Sequence, residues 1–287
     1  MTLTKPISGS FTEVLTARMS DHGSALRVRA ADVAQFGAIV GPLLSIHHFE
    51  MFKSFFGPHP HAGFSAVTYM FADSEGSFLN RDSLGAHVQI APGDLLWTFA
   101  GSGVLHDEKP IVPNLRCHGL QIFINTPAAQ KHSPPRAFHL SSPDVPLYRG
   151  KGVNVRVLAG RYESVVSPFS PPEPLTMLDG SLETGAAITI PARIGWTNVI
   201  YVVSGAVSLQ TLADRAQLVQ GESIAALAAG TLTIRADTPA QVMVFSGPEW
   251  HETVVAKGPF VMSTPQDLHR AELDFLAGRM GVLAEEE

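Results

Sequence analysis

The sequence predicts an all-β fold closed by one short helix, and three observations carry that expectation. Short apolar runs recur along most of the chain, punctuated by 25 glycines and 21 prolines among 287 residues, as short strands joined by tight turns require. The runs fall into two groups, 11–125 and 153–245, separated by a stretch rich in Pro, Ser and His. Apolar residues at helical spacing appear only near the end of the chain.

In the first group, residues 66–71, 86–90 and 119–125 read as strands, with a turn at Pro92-Gly93-Asp94. Residues 127–146 include Ser133-Pro134-Pro135 and Ser141-Ser142-Pro143 and lack sustained periodicity, so the domain linker is placed there. The expected domains are 1–135 and 136–287. Strand signals resume at 186–190, 198–203 and 232–235. Ser204-Gly205 and Gly221-Glu222-Ser223 stand where the first half has 73–76 and 92–94, an internal echo. At the place that by this echo answers the first histidine pair described below, Gly195-Trp196-Thr197-Asn198 carries no histidine, so the second half is expected to keep the shape and lack metal ligands. At the end, Thr264 suits a helix cap and Pro265 its first position. Leu268, Ala271, Phe275 and Leu276 follow at helical spacing, Gly281 is the expected stop, and residues 285–287 are expected to be a solvated tail.

Hydrophobic residues make up 45% of the chain and charged residues 16%, enough apolar content for sizeable cores and too little charge for extensive disorder. A net charge of −6 without a Lys/Arg cluster argues against direct binding to nucleic acid, whose affinity comes mainly from neutralised phosphates. The single Cys117 has no internal disulfide partner and is read as a small buried hydrophobe, consistent with a reducing compartment. Residues 1–20 show no secretory pattern. The uncharged stretch 194–213 is interrupted by Thr197, Asn198, Ser204-Gly205, Ser208, Gln210 and Thr211, which favours strand, turn, strand over a membrane span. The expectation is a cytoplasmic protein without a membrane partner.

Two pairs at i, i+2 spacing carry the chemistry: His59-Pro60-His61 and His106-Asp107-Glu108. Strand side chains alternate faces, so each pair places both members on one side of a sheet. Convergence of the two pairs supplies three imidazoles and a carboxylate, a set suited to a divalent transition metal such as iron, nickel, manganese or zinc. Gly101-Ser102-Gly103 lacks the lysine and helix of a phosphate loop and reads as a turn; His47-His48 reads as structural or substrate-lining; no Gly-x-Ser-x-Gly element supports a serine hydrolase.

These residues, with Asp82-Ser83-Leu84-Gly85, Trp97, 119–125, 200–205 and 258–262, resemble the pirin family of the cupin superfamily over most of the chain. The resemblance implies two cupin (jelly-roll) β-barrel domains in tandem. It further implies one metal in the N-terminal barrel, Fe(II) first and Ni, Mn, Zn, Cu or Co as alternatives, on His59, His61, His106 and Glu108. The chain departs from the family pattern at Ala62 and Ser65, where relatives commonly carry Arg and Glu, and at Ser102, where Arg is usual. The activity implied is that of a quercetin 2,3-dioxygenase, in which O2 opens a flavonol ring with release of carbon monoxide, with Glu108 as ligand and proton acceptor. Phe55, Phe56, Phe64, Tyr69, Trp97 and Phe99 flank the ligand segments and are candidates to line a flat-ring pocket. The alternative implied by the family is a metal-binding, redox-sensitive regulator acting through a protein partner. A purely structural metal is disfavoured by the carboxylate and the lack of thiols.

Overall fold

The computed structural model describes residues 10–32, 41–226, 230–249 and 252–283. It bears out the all-β fold with one α-helix, Pro265–Leu276, among these residues. The chain divides into two compact units, and the division is not the one expected at 135/136. One unit holds Met19–Ala30, Leu44–Ser142 and the described part of Glu252–Glu287; the other holds the described parts of Met1–Arg18, Ala31–Leu43 and Pro143–His251. The chain therefore leaves each unit and returns to it.

In the first unit a seven-stranded sheet runs in spatial order Arg136–Leu140, Leu95–Phe99, Phe64–Met70, Cys117–Asn125, Leu43–Met51, Leu26–Asp32, Arg18–Asp21. A four-stranded sheet runs His59–His61, Val104–Pro110, Phe78–Asp82, His87–Ile90. The second unit has the same pattern: Leu15–Thr16, Glu222–Ala226, Trp196–Ser204, Ala240–Pro248, Thr176–Leu182, Val153–Ala159, Leu147–Gly150 in one sheet, and Ala187–Ala192, Gly230–Ala236, Ala206–Gln210, Arg215–Val219 in the other. Six strands of each large sheet and all four of each small sheet follow one order, a duplication of architecture; the seventh differs, Arg136–Leu140 coming after the other strands of its sheet in the chain and Leu15–Thr16 before them.

Inward-facing apolar residues form a separate core in each unit. Phe49, Met70, Phe78, Ile90, Leu96 and Cys117 belong to the first, where Phe49 and Phe78 stack at 5.2 Å between ring centroids. The Cys117 thiol is buried, and that burial pushes its pKa up to about 11, as befits a packing residue rather than a nucleophile. Leu178, Ile190, Ile200, Leu232, Ile234 and Val244 belong to the second.

The expected linker is not a bare connection. Within it Arg136–Leu140 forms an edge strand on Leu95–Phe99, held further by His139 Nε2 and the Ser142 backbone N–H, which meet the Asp94 carboxylate at 2.9 and 2.6 Å. No residue of this strand is fully buried, so it has no apolar alternation to betray it. The C-terminal helix also departs from the expected division. Leu268 and Ala271 pack with Ala62, Phe260, Met262 and Met280, which joins the helix to the first unit beside His61. Thr264 caps it, accepting the Asp267 N–H at 3.1 Å, and Pro265 opens it as expected. It stops earlier than Gly281, because Gly278 at φ 72° takes the left-handed turn after the last helical residues. The expected tail at 285–287 lies outside the described residues. No helix among the described residues is long and apolar enough to cross a membrane.

Candidate metal centre

The two pairs meet because their strands are neighbours. His59–His61 pairs antiparallel with Val104–Pro110, with His106 opposite His59 and Val104 opposite His61. The loop after His61 is fixed by close backbone approach. Gly63 takes φ 80° and leaves no room for a Cβ against the Val261 carbonyl, so a glycine is required there. Lys131, almost fully buried, donates to the carbonyls of Gly63 at 2.5 Å and Val261 at 3.0 Å and to the Asn125 side-chain oxygen at 2.6 Å. Nothing in its sequence context marks this lysine, which tethers the ligand loop to the C-terminal segment.

Ring nitrogens of His59, His61 and His106 all lie within 4.8 Å of one another. The Nε2 atoms of His59 and His106 are 3.0 Å apart. His59 donates from Nδ1 to the Gly57 carbonyl at 2.9 Å, which leaves its Nε2 as the lone-pair nitrogen. Burial, reinforced by His59, lowers the His61 pKa to about 3, while a Pro259 backbone contact acts the other way. Burial, then His61 and His59, holds His106 well below the usual value. His61 and His106 are therefore neutral near pH 7, the state in which imidazole binds a metal.

Glu108, by contrast, stands outside this cluster. It points to the same side of the strand as His106, yet its Oε1 accepts a hydrogen bond from the Thr68 hydroxyl at 2.7 Å. Thr68 also lies 2.9 Å from the Gln121 side-chain oxygen. Burial pushes the Glu108 carboxyl up to about 7, with the Thr68 hydrogen bond opposing the rise and Asp107 adding to it. Asn80, opposite Glu108 on the neighbouring strand, is fully buried, and its side-chain atoms find no hydrogen-bond partner among the described residues. The intervening Asp107 pairs with Arg81 at 2.9 Å, and Asp82 caps the turn to Leu84 and Ala86. No motif in the sequence marks Thr68, Gln121 or Asn80 as site residues. Their only signal is the inward parity of their strands.

The donor set fits a transition metal. Two nitrogens each about 2.1 Å from one ion and at a right angle are separated by about 3.0 Å, the spacing of the two Nε2 atoms. Three imidazoles without thiols suit iron, nickel, copper or zinc. Of the flanking aromatics, Phe64, Tyr69, Trp97 and Phe99 are buried, whereas Phe55 and Phe56 are exposed, with Phe56 6.4 Å from His59 between ring centroids. Ala62 and Ser65 are fully buried and Ser102 is exposed, so the absent family charges would fall at two interior positions and one on the surface.

Cross-strand register identifies the matching positions in the second unit. Ile190 lies opposite Leu232 as His59 lies opposite His106, and Ile234 follows at the place of Glu108. The segment answering His59-Pro60-His61 is therefore Ile190-Pro191-Ala192. The expected counterpart, Gly195 to Asn198, instead matches the start of the next strand, where Gly195 at φ 72° repeats Gly63 at φ 80°.

Comparison with known proteins agrees with this architecture. Residues 22–124 match the Pirin family model, and 177–281 match the model of the pirin C-terminal cupin domain. Pirin from Rattus norvegicus is 32% identical over 285 residues, covering 96% of this chain and 94% of the rat protein. The structure of quercetin 2,3-dioxygenase from Acinetobacter baumannii superposes with a TM-score of 0.84 at 26% identity, covering 95% of this chain and 98% of that one. A bacterial pirin from Escherichia coli, in complex with nickel(II), shares the fold with a TM-score of 0.65 at 20% identity, covering 82% of this chain and 99% of its own. With both halves matched and whole-length relatives on either side, the chain belongs to the pirin family.

Proposed function

We propose that this chain is a metal-dependent dioxygenase of the quercetin 2,3-dioxygenase type, consuming a flavonol and O2 and releasing carbon monoxide. Its metal would be one divalent ion, Fe(II) first, held by His59, His61 and His106, with Glu108 as the fourth ligand. The observation that carries the reading is the group of three imidazole nitrogens within 4.8 Å, with Glu108 on the same side of the strand as His106. The name of the structurally similar Acinetobacter protein supports the substrate class.

When bound, the metal supplies a positive charge that favours the ionised form of the flavonol hydroxyl. The protein's own groups do the rest. The Gly57 carbonyl fixes the His59 tautomer, and Thr68 orients Glu108 through Oε1. Burial raises the Glu108 carboxyl in the metal-free protein, and beside a bound cation its ionised form, the form that can ligate and accept the hydroxyl proton, is favoured. Phe55 and Phe56, edge to face at 4.9 Å, present exposed aromatic surface on the His59 side where a flat ring can stack.

The test is turnover of quercetin by metal-loaded protein, followed by flavonol absorbance and carbon monoxide release, with metal content measured in the same samples. A folded His59→Ala/His106→Ala variant is expected to lose both metal and turnover. Full metal occupancy in that variant would sink the ligand assignment. A metal-loaded wild type inert toward flavonols would move preference to the family's regulatory reading.

A further inference from the structure

We propose that the second unit carries a binding site of its own, for a small monocarboxylate with an apolar or aromatic body. The unit contains a cavity of about 350 Å³, within the size range of small-molecule sites. Its floor is formed by Leu178, Ile190 and Val244, all buried members of the second core. Ile190 holds the register position of His59, so the cavity opens at the place where the first unit gathers its imidazoles. What would be a ligand there is here an apolar surface, suited to a hydrocarbon or an aromatic ring.

The upper part of the cavity is polar. Thr176 and Ser246 are cross-strand partners that both line it, and Asn198 is the next residue across from Ser246 in the same row. Asn198 is fully buried, and neither atom of its side-chain amide finds a hydrogen-bond partner among the described residues. Such a group is costly in a folded core; Asn198 is not itself a lining residue but lies one strand beyond Ser246, and the polar lining is Thr176, Thr189 and Ser246. At the rim stand Arg161 and Arg193, both exposed, which match a carboxylate through their forked N–H donors. Glu163 shares the rim at the tip of a two-stranded hairpin, with φ 51°, a conformation natural to glycine. Two guanidinium groups and one carboxylate leave a single positive charge, which a monoanion balances.

Benzoate is the probe, with benzamide and acetate as controls for charge and body, titrated calorimetrically into the full-length metal-loaded protein. Benzoate is expected to bind at least tenfold more tightly than either control. The Arg161→Gln/Arg193→Gln variant is expected to weaken it at least tenfold, while Arg215→Gln, altering an exposed arginine on another strand, leaves it unchanged. Arg193 lies 4.8 Å over the Trp196 ring, so benzoate should also shift tryptophan emission, a change lost in Trp196→Phe while calorimetric binding persists. Equal binding of benzoate, benzamide and acetate would overturn the proposal. So would benzoate binding that survives the arginine variant, or that disappears with His59→Ala/His106→Ala in a folded protein.

Discussion

Burial decides the protonation of three histidines in this chain. His61 and His48 are each lowered to about 3, His48 by burial first and then by His118, Arg29 and Arg116 against the opposing pull of Asp73. His106 is lowered for the same leading reason. His48 Nε2 meets His118 Nε2 at 2.7 Å, a bond that one neutral ring must accept. An unfolded histidine takes up its proton near pH 6.5, whereas these remain neutral when folded, so the unfolded state binds more protons between about pH 6.5 and about 3. The stability these three histidines contribute is therefore full above that window and falls as pH drops through it, offset in part by Glu108, whose raised pKa favours the folded state as pH falls from about 7 to about 4.5. Urea midpoints of metal-free protein should be lower at pH 5 than at pH 7.5, and His48→Gln should flatten that difference; an equal slope in the variant would refute the His48 contribution. Glu108 supports a second prediction. Glu108→Gln keeps the shape but removes the base, so it should retain some metal and lose most turnover, whereas Glu108→Ala should weaken both. Wild-type turnover by metal-loaded Glu108→Gln would eliminate the base role.

Single elements in the first unit are secured by few, specific contacts. Lys131 binds three oxygens from three separate segments, so Lys131→Met should strand buried acceptors and cost about 3 kcal/mol or more. The variant should also loosen the His61 loop, seen as lower metal content at equal protein; unchanged stability and metal would refute the tether. The helix depends less on any one bond. Thr264→Ala removes the cap to Asp267 and should cost about 1 kcal/mol in chemical denaturation. The helix could be read from Thr264-Pro265 and its apolar spacing, but its unit could not. Only two of its residues, Leu268 and Ala271, are buried, and their partners at Ala62 and Phe260 are set by the returning chain. The edge strand Arg136–Leu140 carries no sequence signal for a related reason: backbone pairing to one neighbour demands no apolar face.

Across the whole chain, all but one edge strand of each large sheet is built twice in one order, and the chemistry is distributed unequally between the copies. One places His59, His106 and Glu108 where the other places Ile190, Leu232 and Ile234. The net charge of −6 belongs to this scale too. A protein so charged, without a basic cluster, gains little from counterion release. Purified protein is accordingly expected to show no useful affinity for duplex DNA at physiological salt; tight, strongly salt-dependent binding in a titration would refute this.

While the paired barrels came from the family resemblance, residue type and spacing carried the all-β class, a partial internal echo, the terminal helix and both histidine-bearing pairs. Each of these depends on local residue type and spacing, which a chain carries before it folds. Tertiary structure decided which strands return to which unit, and it set Ile190-Pro191-Ala192 opposite in role to His59-Pro60-His61, because register is a property of two strands together. It also drew His59, His61 and His106 together while turning Glu108 toward Thr68. Spacing gives the side of a strand on which a carboxylate lies; the partner it meets there comes from a different strand of the sheet.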